Sequence, residues 1–204
     1  VCLKEHVDEF KLDNTLKEHY KNTSVLSIDK TTEGQACTCE LAINHFNIEL
    51  ENSILISACD NGVYYDSKEY QKLVNDPTVD VIVWSFRNNQ TSKVNPHMYS
   101  WLDVDVENNI KHVSCKKFIY DDPLKTHAII GTMFFRKAKY FIDGLKENYN
   151  SDTRTNGEFY VDDVINQNIK RGLNVKVFEV EHYICWGTPN DYKIYNYWKE
   201  YFIQ

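Results

Sequence analysis

Two stretches place carboxylates where a protein can use them. "SILISACDNG" runs an apolar segment straight into Cys59, Asp60, Asn61 and Gly62, so Asp60 leaves a strand at the edge where open α/β sheets bind their ligands. An aspartate there can hold Mg²⁺, a hard cation that takes oxygen ligands and neutralises phosphate charge. A turn in which Asp60 bonds its own backbone accounts for the residue equally well. "GEFYVDDVIN" sets Asp162 beside Asp163 just ahead of apolar residues at helical spacing. A helix start alone explains that pair, because acidic side chains complement a positive helix N-terminus. In "TTEGQACT", Gly34 lies between a strand and a helix, where a missing Cβ permits close approach of a base or phosphate. An ordinary strand-to-helix turn is the competing reading.

The elements that must position these residues follow from apolar patterning. Nearly continuous apolar runs at residues 23–29, 53–58 and 80–86 read as buried strands, and helical patterns over 5–20, 35–46 and 67–76 separate them. Strand and helix in alternation imply right-handed crossovers and a mostly parallel sheet with helices on both faces. After residue 90 the pattern changes to a loop and a hairpin, with Asp103 and Asp105 near its tip and a turn at Asn108 and Asn109. A strand at 126–135, a helix at 137–149, a helix at 159–172 closed by Gly172, and a strand at 174–181 come next. An aromatic-rich helix opened by Pro189 ends the chain. No repeat, low-complexity linker or break in composition interrupts residues 1–204, so a single α/β domain is expected.

Composition excludes some partners. The 23 basic and 30 acidic residues give a formal charge of -7 with no Lys/Arg stripe, which argues against nucleic acid and anionic membranes. Free nucleotides stay compatible, since metal ions and backbone N–H groups commonly hold their phosphates. The longest apolar runs fall well short of the roughly 20 residues that span a bilayer, and no basic-then-apolar leader opens the chain, so a soluble protein is expected. Six cysteines (Cys2, Cys37, Cys39, Cys59, Cys115, Cys185) lie scattered without a CxxC pair, as free thiols in a reducing cytoplasm would. Cys37 and Cys39 lack the second pair that a zinc site needs. The opening "VCL" reads as the tail of a buried strand, so a longer chain is expected.

"TTEGQACT", "LISACDNGVYYD", "THAIIGTMFF", "NGEFYVDDVIN" and "WGTPNDY" occur in the order and approximate spacing of the sugar-phosphate nucleotidyltransferases, which the chain closely resembles from Val1 to Phe202. That family joins a nucleoside triphosphate to a sugar 1-phosphate or related phosphate and releases pyrophosphate, commonly toward bacterial surface polysaccharide. The resemblance implies a Rossmann-like mixed sheet of the nucleotide-diphospho-sugar transferase type. Its partners would be a nucleoside triphosphate and a phosphorylated small-molecule acceptor, with room for a homo-oligomer. One Mg²⁺ would be gripped by Asp60 and Asp163, with Asp162 the neighbour at the helix start, and sequence leaves an exchange of those two roles open. Gly34, Gln35 and Ala36 match the base-reading turn, which with Asp60 would hold the nucleotide. Gly131 and Glu158 match positions that contact the sugar or acceptor. Lys117 matches the lysine that steadies the acceptor phosphate, although the family's usual Glu-Lys reads Lys116-Lys117 here. Trp186, Gly187 and Thr188 match the segment that closes the acceptor pocket, and a packed turn with a core indole is their alternative.

The resemblance also implies an in-line attack by the acceptor phosphate on the α-phosphorus, with no protein nucleophile. The histidines fit that, since they show no Ser/His/Asp or Cys/His arrangement, and His127 reads as structural. The family's Gly-rich loop with its following Arg and Lys has no counterpart in the chain. The fold is therefore expected without its N-terminal strand and loop, and the 204 residues alone are expected to be a poor catalyst.

Two other classes compete. A nucleotide-sugar-dependent glycosyltransferase would use Asp103-Val104-Asp105 as its metal-binding Asp-x-Asp, but alternation in a polar hairpin turns both aspartates to solvent. A non-catalytic nucleotide-binding module is the other, and the absent loop favours it.

Overall fold

The computed structural model describes residues 1–203. The chain begins with β1 (Cys2–Leu3), α1 (Lys4–Phe10), α2 (Leu12–His19) and β2 (Ser27–Ile28). The single helix expected over 5–20 is divided at Lys11, whose φ of 52° is left-handed. Strands β1 and β2 pair in parallel as a small separate sheet. Then follow α3 (Gln35–His45), β3 (Ile54–Ser57), β4 (Asn61–Tyr64), α4 (Ser67–Asn75), β5 (Val81–Phe86) and α5 (Gln90–Val94). A 3₁₀ turn (Pro96–Met98) leads into β6 (Trp101–Val104), β7 (Ile110–Ser114) and β8 (His127–Phe135). The chain closes with α6 (Ala138–Asn150), α7 (Val161–Lys170), β9 (Val175–Glu179), β10 (His182–Cys185) and α8 (Pro189–Ile203).

The main sheet is mixed, with β8 at its centre. Strand β8 pairs antiparallel with β5 along one edge, and with β3 and β6 on stretches of the other. Beyond β5 lies β9 in parallel, and beyond β6 lies β7 antiparallel. Strands β3, β5, β6 and β9 therefore all run one way, as helix-strand alternation dictates. β8 runs against them because a hairpin and a loop precede it, with no crossover helix.

Alternation along the buried strands sends side chains to two cores. Val81 and Val83 of β5, with Met133 and Phe135 of β8, meet Ala36 of α3, Phe141 and Leu145 of α6, and Val164 and Ile165 of α7. Ile82, Trp84 and Phe86, with Ile130 and Phe134, face the other way toward Tyr70 and Leu73 of α4. Helix α7 ends where Gly172, at φ 79°, lets Leu173 N–H return to the Asn168 carbonyl. Helix α8 opens with Thr188 Oγ1 accepting from Asp191 N–H while Asp191 Oδ2 takes the Thr188 hydroxyl. All six cysteines are free, and no helix among the described residues is long and apolar enough to cross a membrane.

Candidate active site

Strand β3 ends at Ser57, the chain turns through Ala58, Cys59 and Asp60, and β4 begins at once. Apolar patterning gives no signal for β4 or β10. Their pairing sets Asn61 opposite Cys185, so Trp186 N–H donates to the Asp60 carbonyl at 2.8 Å. The Trp186-Gly187 segment is thus fixed beside Asp60, whose own side chain stays exposed. The indole packs over Gly62, where an added Cβ would come within 2.9 Å of the ring, and meets Tyr195 edge-on at 5.2 Å. The Trp186 ring is packed in this turn, and Gly187 lines the cleft next to Asp60.

That cleft has a volume of about 320 Å³, and Asp60, Ser100, Lys116, Tyr160 and Asp162 line it with Gly131. Gly131 adopts φ 91° at the point where β8 crosses from pairing β6 to pairing β3, and a Cβ there would sit 3.0 Å from that of Ala58. Its carbonyl takes the Ala58 N–H at 2.9 Å, which anchors the approach to Asp60.

The two adjacent aspartates occupy the first turn of α7, yet neither caps it. A helix turns each successive side chain by about 100°, so neighbours face different surroundings. Asp162 points into the cleft and accepts from the Ser100 hydroxyl. Burial pushes its carboxyl above the usual range, opposed by the Ser100 hydrogen bond and by the Lys116 charge. Asp163 is not among the residues lining the cleft and accepts from Thr155 Oγ1 at 2.8 Å. Burial raises its carboxyl too, against the Thr155 bond. Asp162, the neighbour in the sequence-based expectation, lines the same cleft as Asp60.

The adjacent lysines separate in the same way. Strand β7 stops at Ser114, and Lys116 adopts φ 50°, so strand alternation no longer applies to it. Its Nζ donates to the Met98 carbonyl at 2.8 Å and lies 5.4 Å from the Tyr160 ring centroid, on the cleft. Lys117 is exposed and outside the cleft, with its carbonyl taken by Ser114 Oγ. Val113 keeps its buried face, so a left-handed turn and not a slipped register brings Lys116 inward.

The 34–36 turn divides as well. Gly34 has φ 139°, and an added Cβ would lie 2.5 Å from the Phe159 carbonyl oxygen and 2.6 Å from its nitrogen. Phe159 N–H donates to the Glu33 carbonyl and Ala36 N–H to the Phe159 carbonyl, clipping this turn to the segment ahead of α7. The close approach that Gly34 permits is to backbone. Ala36 is fully buried in the core, leaving Gln35 as the residue of the three on the cleft. Glu158 is exposed and lines a neighbouring recess with Gly34, not the cleft.

Asp103 and Asp105 lie off the cleft. Asp105 binds Lys111 Nζ at 2.7 Å and the Asn109 and Glu107 N–H groups at 2.9 Å each, contacts that hold its carboxyl far below the usual range and organise the hairpin turn. His127 pairs through Nδ1 with Ser85 Oγ at 2.9 Å, and burial, with Arg87 nearby, lowers its pKa to about 4.

No family model matches the chain, and no curated protein matches it in sequence. Solved structures do. A nucleoside-diphosphate-sugar pyrophosphorylase from Vibrio cholerae RC9 superposes with a TM-score of 0.71 at 16% identity, over 95% of this chain and 77% of that one. A Bacillus anthracis protein assigned as a glucose-1-phosphate thymidylyltransferase, solved with a sucrose, gives 0.66 at 14% identity, over 95% and 72%. A CMP:2-keto-3-deoxy-manno-octonic acid synthetase complexed with CTP gives 0.55 at 13% identity, over 92% and 78%. The fold is that of the sugar-phosphate nucleotidyltransferases. At such identities the likeness establishes the nucleotidyltransferase fold, and function must be argued from the cleft.

Proposed function

We propose that the cleft transfers a nucleotidyl group from a nucleoside triphosphate to a phosphorylated small-molecule acceptor, with release of pyrophosphate. The observation that carries this reading is Asp162, a buried carboxylate with one hydroxyl partner, facing the same cleft as Asp60 and Lys116. A carboxylate whose ionised form burial disfavours is relieved by a cation, and the all-oxygen donor set suits Mg²⁺. Among the described residues no three His, Cys, Asp or Glu side chains form a metal cluster. Two carboxylates are what this chain offers, and Mg²⁺ is commonly held by one or two carboxylates together with substrate phosphates.

Asp60 and Asp162 would hold the ion, which when bound supplies charge neutralisation on the phosphate oxygens. Lys116, restrained by Met98, holds the acceptor phosphate so that one of its oxygens faces the α-phosphorus. The oxygen-phosphorus bond forms as the bond to pyrophosphate breaks, in line, and no protein side chain acts as nucleophile. Tyr99, Tyr160 and Tyr183 also line the cleft. A precursor for bacterial surface polysaccharide, made in the cytoplasm, is the product role we propose.

The test is pyrophosphate release from the full-length natural protein, supplied with each nucleoside triphosphate, a panel of sugar 1-phosphates and Mg²⁺. Release that requires both the acceptor and Mg²⁺ is expected. Sugar transfer from a nucleotide-sugar without pyrophosphate release would establish the glycosyltransferase reading in its place.

A further inference from the structure

The structure assigns Ser100 as a positioning residue that couples Asp162 to Lys116, so that the carboxylate and the lysine of the cleft are set by one hydroxyl. This rests on the cleft being where cation and phosphate bind. Ser100 is 1% exposed and immediately precedes β6. A hydroxyl has one proton to give and lone pairs to receive, and both capacities are used here. The proton goes to Asp162 Oδ2, and the oxygen receives the Lys116 N–H at 3.1 Å. Each bond matters for a separate reason. Asp162 is buried, and the Ser100 hydroxyl is the side-chain hydrogen-bond partner that fixes the direction of its carboxylate. Lys116 sits at φ 50°, a backbone conformation that a side chain with a Cβ adopts only when its surroundings hold it there. The Ser100 oxygen holds that peptide N–H, and the Met98 carbonyl holds the side-chain ammonium. Ser100 touches neither reacting phosphate in this scheme; it acts through Asp162, which would hold the cation, and Lys116, which would hold the acceptor phosphate.

The experiment uses the intact chain, with Mn²⁺ alone followed by electron paramagnetic resonance and inorganic phosphate followed by calorimetry. Hydrogen exchange of the Lys116 amide is a ligand-free readout. Ser100→Ala should weaken both probes by about 10-fold and accelerate Lys116 exchange by at least about 10-fold, as loss of hydrogen bonds to charged or strained groups requires. Ser100→Cys, which keeps the side-chain shape but is a weak donor and acceptor, should follow Ser100→Ala on all three readouts even if the alanine variant folds poorly. Ser92→Ala, which removes another buried hydroxyl, bonded to the Asn89 and Pro123 carbonyls and not itself lining the cleft, should leave the three unchanged. Wild-type behaviour of Ser100→Cys, or loss of one probe without the other, overturns the coupling. Wild-type protein that binds neither probe would refute the reading of the cleft itself, and unchanged Lys116 exchange in Ser100→Cys would still separately refute the Ser100 link.

Discussion

Replacing Gly34 by alanine separates two accounts of why a glycine stands there. The added Cβ would lie 2.5 Å from the carbonyl oxygen and 2.6 Å from the nitrogen of Phe159, and backbone atoms cannot step aside as a side-chain tip can. Holding alanine at φ 139° costs about 1–3 kcal/mol. Opening the clip sacrifices the Phe159-to-Glu33 and Ala36-to-Phe159 backbone bonds, each worth about 0.5–1.5 kcal/mol. Gly34→Ala should therefore destabilise the chain by roughly 2–6 kcal/mol, lowering the urea midpoint by about 1–3 M at a typical slope of about 2 kcal/mol per molar. Equilibrium unfolding in urea, followed by tryptophan fluorescence, measures it. An unchanged midpoint with weakened nucleotide affinity would refute this reasoning and restore the glycine to a ligand-facing role.

Three further outcomes are expected. His127 is held neutral by burial with a folded pKa of about 4 against 6.5 unfolded, so the unfolded state binds the extra proton between those values. Stability should fall by roughly 3 kcal/mol as pH drops through that window and level off below it, and His127→Gln should remove that component of a pH series of urea melts. Asp103→Asn with Asp105→Asn should leave pyrophosphate release nearly intact while loosening the hairpin, read as faster amide exchange at Glu107 and Asn109, both of which donate to Asp105. Lys116→Ala should weaken acceptor use by about 10-fold or more and Lys117→Ala by little, measured as separate initial-rate series in acceptor and nucleotide.

Much of the frame is legible because burial on both faces leaves a long apolar signal. "VIVWSF" and "AIIGTMFF" read as strands and are β5 and the body of β8. "NGVYY" and "HYIC" carry no such signal, since β4 and β10 pair only with each other and stay largely at the surface, and their pairing is what delivers Trp186 to Asp60. The direction of β8 is also silent in the pattern, because an apolar run has no arrow. At the cleft, sequence narrows the choice to adjacent pairs and stops there. Asp162 and Asp163 share residue type and position in a helix start, and only the rotation of α7 against β6 and β7 decides which meets Ser100. Lys116 and Lys117 differ through a left-handed turn that strand periodicity does not encode. Ser100 left no mark beyond its place before a strand, as a lone serine usually does.

The central claim is that Asp60 and Asp162 together make the cation-binding edge of the cleft. Its most direct test is Mn²⁺ affinity in the presence of a nucleoside triphosphate for Asp60→Asn, Asp162→Asn and Asp163→Asn in the full-length natural protein. Losses of about 10-fold or more are expected for Asp60→Asn and Asp162→Asn, since each removes a charged ligand, while Asp163→Asn, which keeps an acceptor for Thr155, should bind within about threefold of wild type. Loss in Asp163→Asn with full binding by Asp162→Asn would contradict the account.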